Sequence, residues 1–172
     1  MAFVLQVDNN NNFIKKIEKL EAHKKGILHR AYSIFIFNSN KELLLQKRAE
    51  KYHSSFLWSN TCCSHPFSEN INEIKKEAEK RLFEEMGFKT ELKEKFQIIY
   101  KADVGNNLIE HEYDHVFFGS IKEKITIKPD IKEVCDFKWI SFNELKKTIE
   151  KNPKKYTAWL KIIIYYLEFF VK

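Results

Sequence analysis

Apolar residues recur along the chain with two different periods, and each period predicts a different kind of element. Runs rich in β-branched and aromatic residues predict strands at residues 3–7, 13–16, 32–37, 43–45, 96–100, 110–121 and 134–139. Residues 8–12 lie between the first and second runs, and residues 38–40 lie between the third and fourth. The asparagines of both segments tolerate the positive φ of tight turns. The first four strands are therefore expected to form two hairpins.

Helical spacing is clearest within residues 72–86, where Ile74, Ala78, Leu82 and Met86 lie four positions apart and Gly87 supplies a stop. A capping box, formed by a serine at position 141 and a glutamate at position 144, predicts a short helix, and residues 154–171 are expected to close the chain as another helix. One helix among strands and two after them predict an α+β fold.

The opposite face of the helix at residues 72–86 carries Glu77, Arg81 and Glu85 at intervals of four. Such a column forms ion pairs on an exposed helix face, and it equally forms the wall of a binding site. The sequence leaves both interpretations open.

Length and charge narrow the class of protein. A chain of 172 residues predicts one domain, residues 1–172, and 44% apolar with 15% aromatic residues excludes a disordered chain. The net charge of +6 favours an anionic partner, which could be a nucleic acid, a membrane surface or a phosphorylated small molecule. The basic residues are scattered in short groups rather than concentrated in one arm, so charge does not choose among these partners.

The cysteines and the terminal segments predict a cytoplasmic protein. Three cysteines, two of them adjacent at Cys62 and Cys63, do not make a disulfide framework. The first residues lack the basic leader and long apolar run of a signal peptide. The apolar residues 156–171 are interrupted by Lys161 and Glu168 and are shorter than the roughly 20 residues that span a bilayer.

Residues 58–66 concentrate reactive side chains in a segment that Pro66 keeps from being helical. In extended structure, Cys63 and His65 point to one side while Cys62 and Ser64 point to the other. A free cysteine is most often a buried apolar residue and a lone histidine most often structural, so this segment alone does not establish a site.

Glu110 and Glu112 share one face of a predicted strand with Asp114, and their charges repel. Such carboxylates are either exposed or held together by a metal ion, and spacing leaves both cases open. Glu110 and Glu112 make a nitrogen and oxygen set together with three imidazoles, those of His23 and His29, expected in a loop, and of His65. This set is suited to Mn²⁺ or Mg²⁺ and compatible with Zn²⁺. The remaining histidines are expected to be structural: His53, His111 and His115.

Several separated motifs together resemble the type I isopentenyl-diphosphate isomerase family. They are His23, ILHRAYS at residues 27–33, QKRA at 46–49, WSNTCCSHP at 58–66 and EHE at 110–112. The resemblance extends from about Lys19 to Trp159, and the order and spacing of the motifs agree. It implies a Nudix fold, that is, an α/β/α sandwich with a mixed sheet.

The resemblance also implies roles for individual residues. One divalent ion is expected at His23, His29, His65, Glu110 and Glu112, with Cys63 as a further candidate ligand. Glu85 is expected to meet a second ion, Mg²⁺, that arrives with the substrate. Lys19, Arg48, Lys51 and Arg81 are expected to bind the diphosphate, and Trp159, with Trp58 as a second candidate, to shield a carbocation. Glu112, relayed through Tyr100, and Cys63 on the opposite face are expected to exchange protons with the substrate.

Two other functions compete with isomerisation. EEMGF at residues 84–88 resembles the end of a Nudix box, but Lys80 and Arg81 stand where a hydrolase carries Arg-Glu, and Pro66 and Asn72 occupy its usual Gly and Glu positions. Pyrophosphate hydrolysis is therefore disfavoured. A basic RNA-binding module is disfavoured because no concentrated basic and aromatic motif is present. The expected partner is a small diphosphate, without nucleic acid or membrane, bound by a monomer or homodimer.

Overall fold

The computed structural model describes residues 2–51, 53–122 and 125–170, and within them nine strands and four α-helices follow the predicted order closely. The strands are β1 (Phe3–Val7), β2 (Phe13–Glu18), β3 (His29–Asn38), β4 (Glu42–Arg48), β5 (Trp58–Ser59), β6 (Cys62–Ser64), β7 (Leu92–Gly105), β8 (Leu108–Ile121) and β9 (Val134–Ser141). The helices are α1 (Lys19–Lys25), α2 (Ile74–Met86), α3 (Phe142–Lys151) and α4 (Ala158–Leu167). Among the described residues, none of these helices combines the length and apolarity needed to cross a bilayer.

Strand β3 is the centre of a mixed sheet. It pairs with β8 in parallel from His29↔Glu112 to Asn38↔Ile121, and with β6 in antiparallel register at Ser33↔Cys63. The two predicted hairpins are present, as β1 with β2 and β3 with β4, and β4 continues into pairing with β9. Strands β6 and β8 therefore flank β3, one on each side.

Helices cover both faces of the sheet, which confirms the α/β/α sandwich. Alternate residues of β3 point to opposite faces, so that Ile34 packs towards α2 and Phe35 towards α4. Helix α2 buries Ile74, Ala78, Leu82 and Met86 against one face. The other face packs against a group of α3 and α4 residues: Leu145, Ile149, Trp159, Leu160, Ile163, Ile164 and Leu167.

Two predictions about where helices lie were wrong. The segment containing His23 is not a loop but helix α1, which the Glu18 carboxylate caps and Gly26 ends with φ of 60°. The closing helix does not begin at Lys154: residues 153–155 form a short 3-10 turn, and α4 begins at Ala158 after the extended cap residue Thr157. The predicted end of that helix at Val171 lies outside the described residues.

Candidate active site

Helix α1 and the start of β3 deliver two buried imidazoles to the same place. His23 and His29 are completely buried, with ring centroids 5.0 Å apart. Each ring fixes its Nδ1 on a backbone carbonyl, His23 on Lys19 at 2.5 Å and His29 on Ile27 at 2.8 Å. A carbonyl oxygen only accepts, so both Nδ1 atoms donate. Nε2 is then the atom that each ring, when neutral, would present to a metal ion, and in the protein without metal His23 Nε2 lies within hydrogen-bonding distance of Glu110.

Strand β8 delivers the carboxylates from one of its faces, as predicted. Glu110 Oε2 lies 3.0 Å from His23 Nε2 and 3.8 Å from His29 Nε2. Glu112 Oε1 lies 3.1 Å from His65 Nε2, and its Oε2 accepts a hydrogen bond of 2.5 Å from the Tyr100 hydroxyl. Glu110 and Glu112 are 4% and 7% exposed, so the solvent-exposed alternative is excluded.

His65 completes a compact group of possible metal ligands. Its Nε2 lies 3.2 Å from His29 Nε2. One ligand atom each from His23, His29, His65 and Glu110 can be chosen so that all lie within 4.8 Å of one another. Three imidazole nitrogens with a carboxylate oxygen suit a divalent transition metal, and the hard oxygen donors of Glu110 and Glu112 also suit Mg²⁺ or Mn²⁺. The donor set therefore fits one divalent ion.

Burial favours the neutral form of His29 and His65, the form that binds metal. It lowers the pKa of His29 to about 4 and the pKa of His65 well below its usual range. Burial alone would raise the pKa of Glu110, but hydrogen bonds from His23 and His53 outweigh it and hold that pKa well below its usual range. Glu112 behaves in the opposite way, because burial and the neighbouring charge of Glu110 raise its pKa.

The two adjacent cysteines point in different directions, as their alternation in an extended segment predicted. Cys62 is completely buried among the α2-side core residues, whereas Cys63 lines the cavity beside the metal-ligand group. Burial raises the pKa of the Cys63 thiol to about 12, with the positive charge of Arg48 acting against it. Ser64, expected on the side of Cys62, also borders the cavity.

A cavity of about 250 Å³ contains most of the residues selected from the sequence. Its lining is formed by Lys19, Arg48, Lys51, His53, Cys63, Ser64, His65, Arg81, Glu85, Tyr100, Glu110, Glu112, Glu133 and Trp159. His23 and His29 are not among the lining residues, although both contact Glu110. Trp58 is not a lining residue either, because it packs against the α4-side core and under the Lys138 ammonium.

Four basic residues line this cavity and are together called the basic wall: Lys19, Arg48, Lys51 and Arg81. Arg48 lies over the Trp159 ring at 5.2 Å, and Lys51 and Arg81 bind the two oxygens of Glu133 at 2.5 and 3.1 Å. Within the described residues, Arg48 Nε and Arg81 Nε are buried without a hydrogen-bond partner. Buried guanidinium N–H groups need acceptors, and phosphate oxygens supply them.

The Glu77, Arg81 and Glu85 column divides between the two interpretations left open. Arg81 and Glu85 form an ion pair of 2.8 Å that lines the cavity, and Glu85 also accepts from Gln46. Burial raises the pKa of Glu85. Glu77 instead accepts from the backbone amides of Phe67 and Ser68, and so fixes the chain after β6.

Besides Ser64, two lining residues were missed in the sequence, His53 and Glu133. His53 was expected to be structural, yet its Nε2 lies 3.1 Å from Glu110 Oε1. Glu133 directly precedes β9, and no local pattern marked it. The signal available for His53 was its place in the short connection between Arg48 and the reactive segment that begins at Trp58.

The fold recurs in solved structures of distant sequence. Protein DR0079 from Deinococcus radiodurans superposes with a TM-score of 0.74 at 11% identity, covering 95% of this chain and 97% of that one. The MutT protein from Methanosarcina mazei Go1 gives 0.65 at 15% identity, covering 82% and 93%. Residues 27–160 match the NUDIX domain family, and the α/β/α sandwich agrees with that match. The chain is therefore a NUDIX-class protein.

Relatives of higher sequence identity show to which family within that class the chain belongs. Isopentenyl-diphosphate Delta-isomerase 2 of Aromatoleum aromaticum is 47% identical over 91% of this chain and 82% of its own length. Isopentenyl-diphosphate Delta-isomerase 2 of Photorhabdus laumondii is 48% identical over 92% and 88%, and the isomerase of Pectobacterium atrosepticum 45% identical over 92% and 87%. The chain therefore belongs to the isopentenyl-diphosphate Delta-isomerase family.

Proposed function

We propose that this protein interconverts isopentenyl diphosphate and dimethylallyl diphosphate, the activity for which its close relatives are named. The observation that carries the proposal is the joint placement of a thiol and a carboxyl in one cavity. Cys63 comes from β6 and Glu112 from β8, the strands on either side of β3. Two proton-exchanging groups on different strands suit a reaction that adds one proton and removes another.

The chemistry defines what each group must do. A proton added to the terminal CH₂ of isopentenyl diphosphate leaves a positive charge on the tertiary carbon. Loss of a proton from the neighbouring CH₂ then forms the internal double bond, so the atoms balance without any oxidant or reductant. Glu112 donates the first proton because its raised pKa keeps it protonated, and Tyr100 holds its Oε2. Cys63 is proposed to accept the second as the thiolate, a form that burial opposes and that the positive charge of Arg48 favours.

The His and Glu group is proposed to hold one divalent ion, Mn²⁺ or Mg²⁺, with Zn²⁺ compatible with the same donors. When bound, the ion supplies positive charge that offsets the repulsion between Glu110 and Glu112 and strengthens the acid. Glu110 is proposed to remain ionised as a ligand while Glu112 carries the reacting proton. This difference agrees with the opposite pKa shifts of the two groups.

The basic wall is proposed to bind the diphosphate. Lys19, Arg48, Lys51 and Arg81 line the cavity with the proton-exchanging pair, and the buried Nε atoms of the two arginines need acceptors. Glu85 is proposed to contact Mg²⁺ that enters with the substrate. Trp159 is 3% exposed and faces the same cavity, where its ring excludes water and stabilises a transient cation.

The deciding experiment follows the carbon skeleton and the phosphate separately. The purified protein is incubated with isopentenyl diphosphate, Mg²⁺ and Mn²⁺ in D₂O, and the products are examined by NMR, while phosphate release from nucleotides and retention of RNA are measured in parallel. Dimethylallyl diphosphate carrying solvent deuterium, without phosphate release, is the expected result, and Glu112→Gln is expected to form none. Phosphate release without the allylic isomer would contradict the proposal and select a hydrolase.

A further inference from the structure

His53 is a buried histidine that contacts the metal-ligand group without belonging to it. It is 4% exposed and lies in the connection between β4 and β5. Its ring centroid is 5.8 Å from that of His23, and its ring meets Trp159 edge-on at 6.2 Å. The compact group of ligand atoms contains His23, His29, His65 and Glu110, but not His53.

The two oxygens of Glu110 have different neighbours. Oε2 faces the imidazoles of the ligand group, at 3.0 Å from His23 Nε2 and 3.8 Å from His29 Nε2. Oε1 faces His53 Nε2 at 3.1 Å. A hydrogen bond that holds Oε1 at His53 limits rotation of the carboxylate about its last bond, and so fixes the direction in which the other oxygen faces the ligand group.

Hydrogen-bond chemistry determines which ring nitrogen of His53 carries the proton. An ionised carboxylate only accepts, so the Nε2 next to Glu110 must be the donor. Nδ1 of the neutral ring is then an acceptor, and the Ser54 hydroxyl at 3.0 Å can donate to it. Ser54 has a φ of 54°, so the chain bends sharply beside the ring.

The connection that carries His53 also carries basic residues of the cavity wall. Arg48 ends β4, and Lys51 lies two positions before His53. Trp159 contacts both Arg48 and His53, at 5.2 Å and 6.2 Å from its ring. The histidine that contacts Glu110 therefore shares a neighbour, Trp159, with Arg48, a residue of the wall proposed to bind the diphosphate.

We propose that His53 is a positioning residue for the metal centre: its Nε2–H holds Glu110 Oε1 so that Oε2 alone is presented to the ion. This inference rests on the metal site of the proposed function and adds to it a residue outside the ligand set. Partners of this kind orient carboxylate ligands in metal sites, and their loss typically weakens metal binding by about 10- to 100-fold.

The test measures metal affinity directly, so that it does not depend on turnover. Chelator-treated wild type, His53→Phe, His53→Ala and His53→Gln are titrated with Zn²⁺ against a competing chelator and with Mn²⁺ by electron paramagnetic resonance of the free ion. Phenylalanine keeps the ring volume without the donor, whereas the Gln side-chain amide places a donor near the position of Nε2. Circular dichroism confirms folding, and His53→Ala carries the test if His53→Phe does not fold.

Affinity is expected to fall about 10- to 100-fold in His53→Phe and His53→Ala and to recover to within a few-fold of wild type in His53→Gln. Wild-type affinity in His53→Phe would overturn the inference. Equal weakness of His53→Gln and His53→Phe would also overturn it, since a donor would then not be what the site requires.

A ligand variant separates this inference from the metal site itself. His29→Ala removes a residue of the ligand group and is expected to abolish tight binding. If His29→Ala binds the ion as wild type does, the metal site of the proposed function is wrong. If His29→Ala loses the ion while His53→Phe retains it, only the role of His53 is wrong.

Discussion

Glu110 and Glu112 show how neighbours decide the chemistry of identical side chains. Both are buried on one face of β8, and burial favours the protonated form of each. Glu110 is hydrogen-bonded by His23 and His53, and its pKa falls. Glu112 is near the charges of Glu110 and Asp114, and its pKa rises. One carboxylate is thus suited to bind a cation and the other to hold a proton.

The cysteine pair gives a prediction with an internal control. Cys63→Ala is expected to reduce isomerase turnover by about 10²- to 10⁴-fold or more, because it removes a group proposed to exchange a proton with the substrate. Cys62→Ala is expected to keep most turnover and to lose roughly 1–2 kcal/mol of unfolding free energy, because Cys62 is a completely buried core residue. Kinetic assays and urea unfolding of both variants measure these effects. Equal loss of turnover would contradict the opposite facing of the two thiols.

Asp114 predicts a particular pH dependence of stability. Burial raises its pKa from the usual 3.8 to about 7, although the Ser33 hydroxyl donates to its Oδ2. Between these pH values the folded protein keeps a proton that the unfolded chain has released, so this group makes stability fall as pH rises. Asp114→Asn removes that dependence. In metal-free protein the variant should therefore gain on wild type between pH 4 and 7, by a few kcal/mol at most, since one pKa unit corresponds to about 1.4 kcal/mol.

Urea unfolding at several pH values in the presence of a chelator measures this gain. The lowered pKa of His29 acts in the opposite direction over part of the same range, because the unfolded chain there binds more protons. That contribution is common to wild type and variant, so it cancels in their difference. Parallel stability curves for the two proteins would show that Asp114 does not titrate in this range.

At the scale of elements, predictions succeeded where a local period determines the result. The period of two along β8 placed Glu110 and Glu112 on one face, and the period of helix α2 gave its buried side and its end at Gly87. Helix α1 was missed because it is only seven residues long and buries only Ala22 and His23. Two turns show no clear repeat, so its capping by Glu18 and Gly26 was the available signal.

The rest of the site depends on contacts that sequence spacing does not encode. His53 contacts Glu110 from within the connection between β4 and β5, which reverses direction with positive φ at Ser54 and Phe56. Glu133 binds both Lys51 and Arg81, and Lys51 lies 82 residues before it in the sequence. Long-range contacts of this kind follow from the paths of connecting segments, which a local pattern of apolar residues does not determine.

The end of α2 gives a prediction about element packing. Gly87 has a φ of +75°, and a Cβ built there would lie 2.3 Å from the Lys128 carbonyl oxygen. Gly105 has a similar φ of +82°, but nothing lies within 4 Å of its added Cβ. Gly105→Ala is therefore expected to lose about 1 kcal/mol from backbone strain alone. Gly87→Ala should lose roughly 1–3 kcal/mol more, because backbone must move.

Urea unfolding of the two glycine variants provides the measurement, with each serving as the control for the other. The shared positive φ cancels in the comparison, so the difference reports the close approach of α2 to residue 128. Similar losses in both variants would mean that the segment around Lys128 moves aside without appreciable cost, and that this contact does not fix the end of the helix.

At the scale of the whole molecule, folding brings together groups that are distant in sequence. The four residues of the ligand group come from α1, β3, the segment just after β6, and β8. The basic wall adds Arg48 from β4 and Arg81 from α2. A chain that has lost the β3 pairings separates these groups, so a site that needs all of them exists only in the folded state.

Metal removal should consequently lower global stability as well as activity. An ion that binds the folded chain alone stabilises it by about 2.7 kcal/mol at a concentration 100 times its Kd. Adding Zn²⁺ or Mn²⁺ to chelator-treated protein is therefore expected to raise the midpoint of thermal unfolding, and excess chelator to reverse the change. His29→Ala, compared with and without ion, should show little increase, whatever its own baseline stability. An equal increase in wild type and His29→Ala would mean that the ion stabilises the protein elsewhere, because a site that uses the His29 imidazole as a ligand is expected to lose affinity without it.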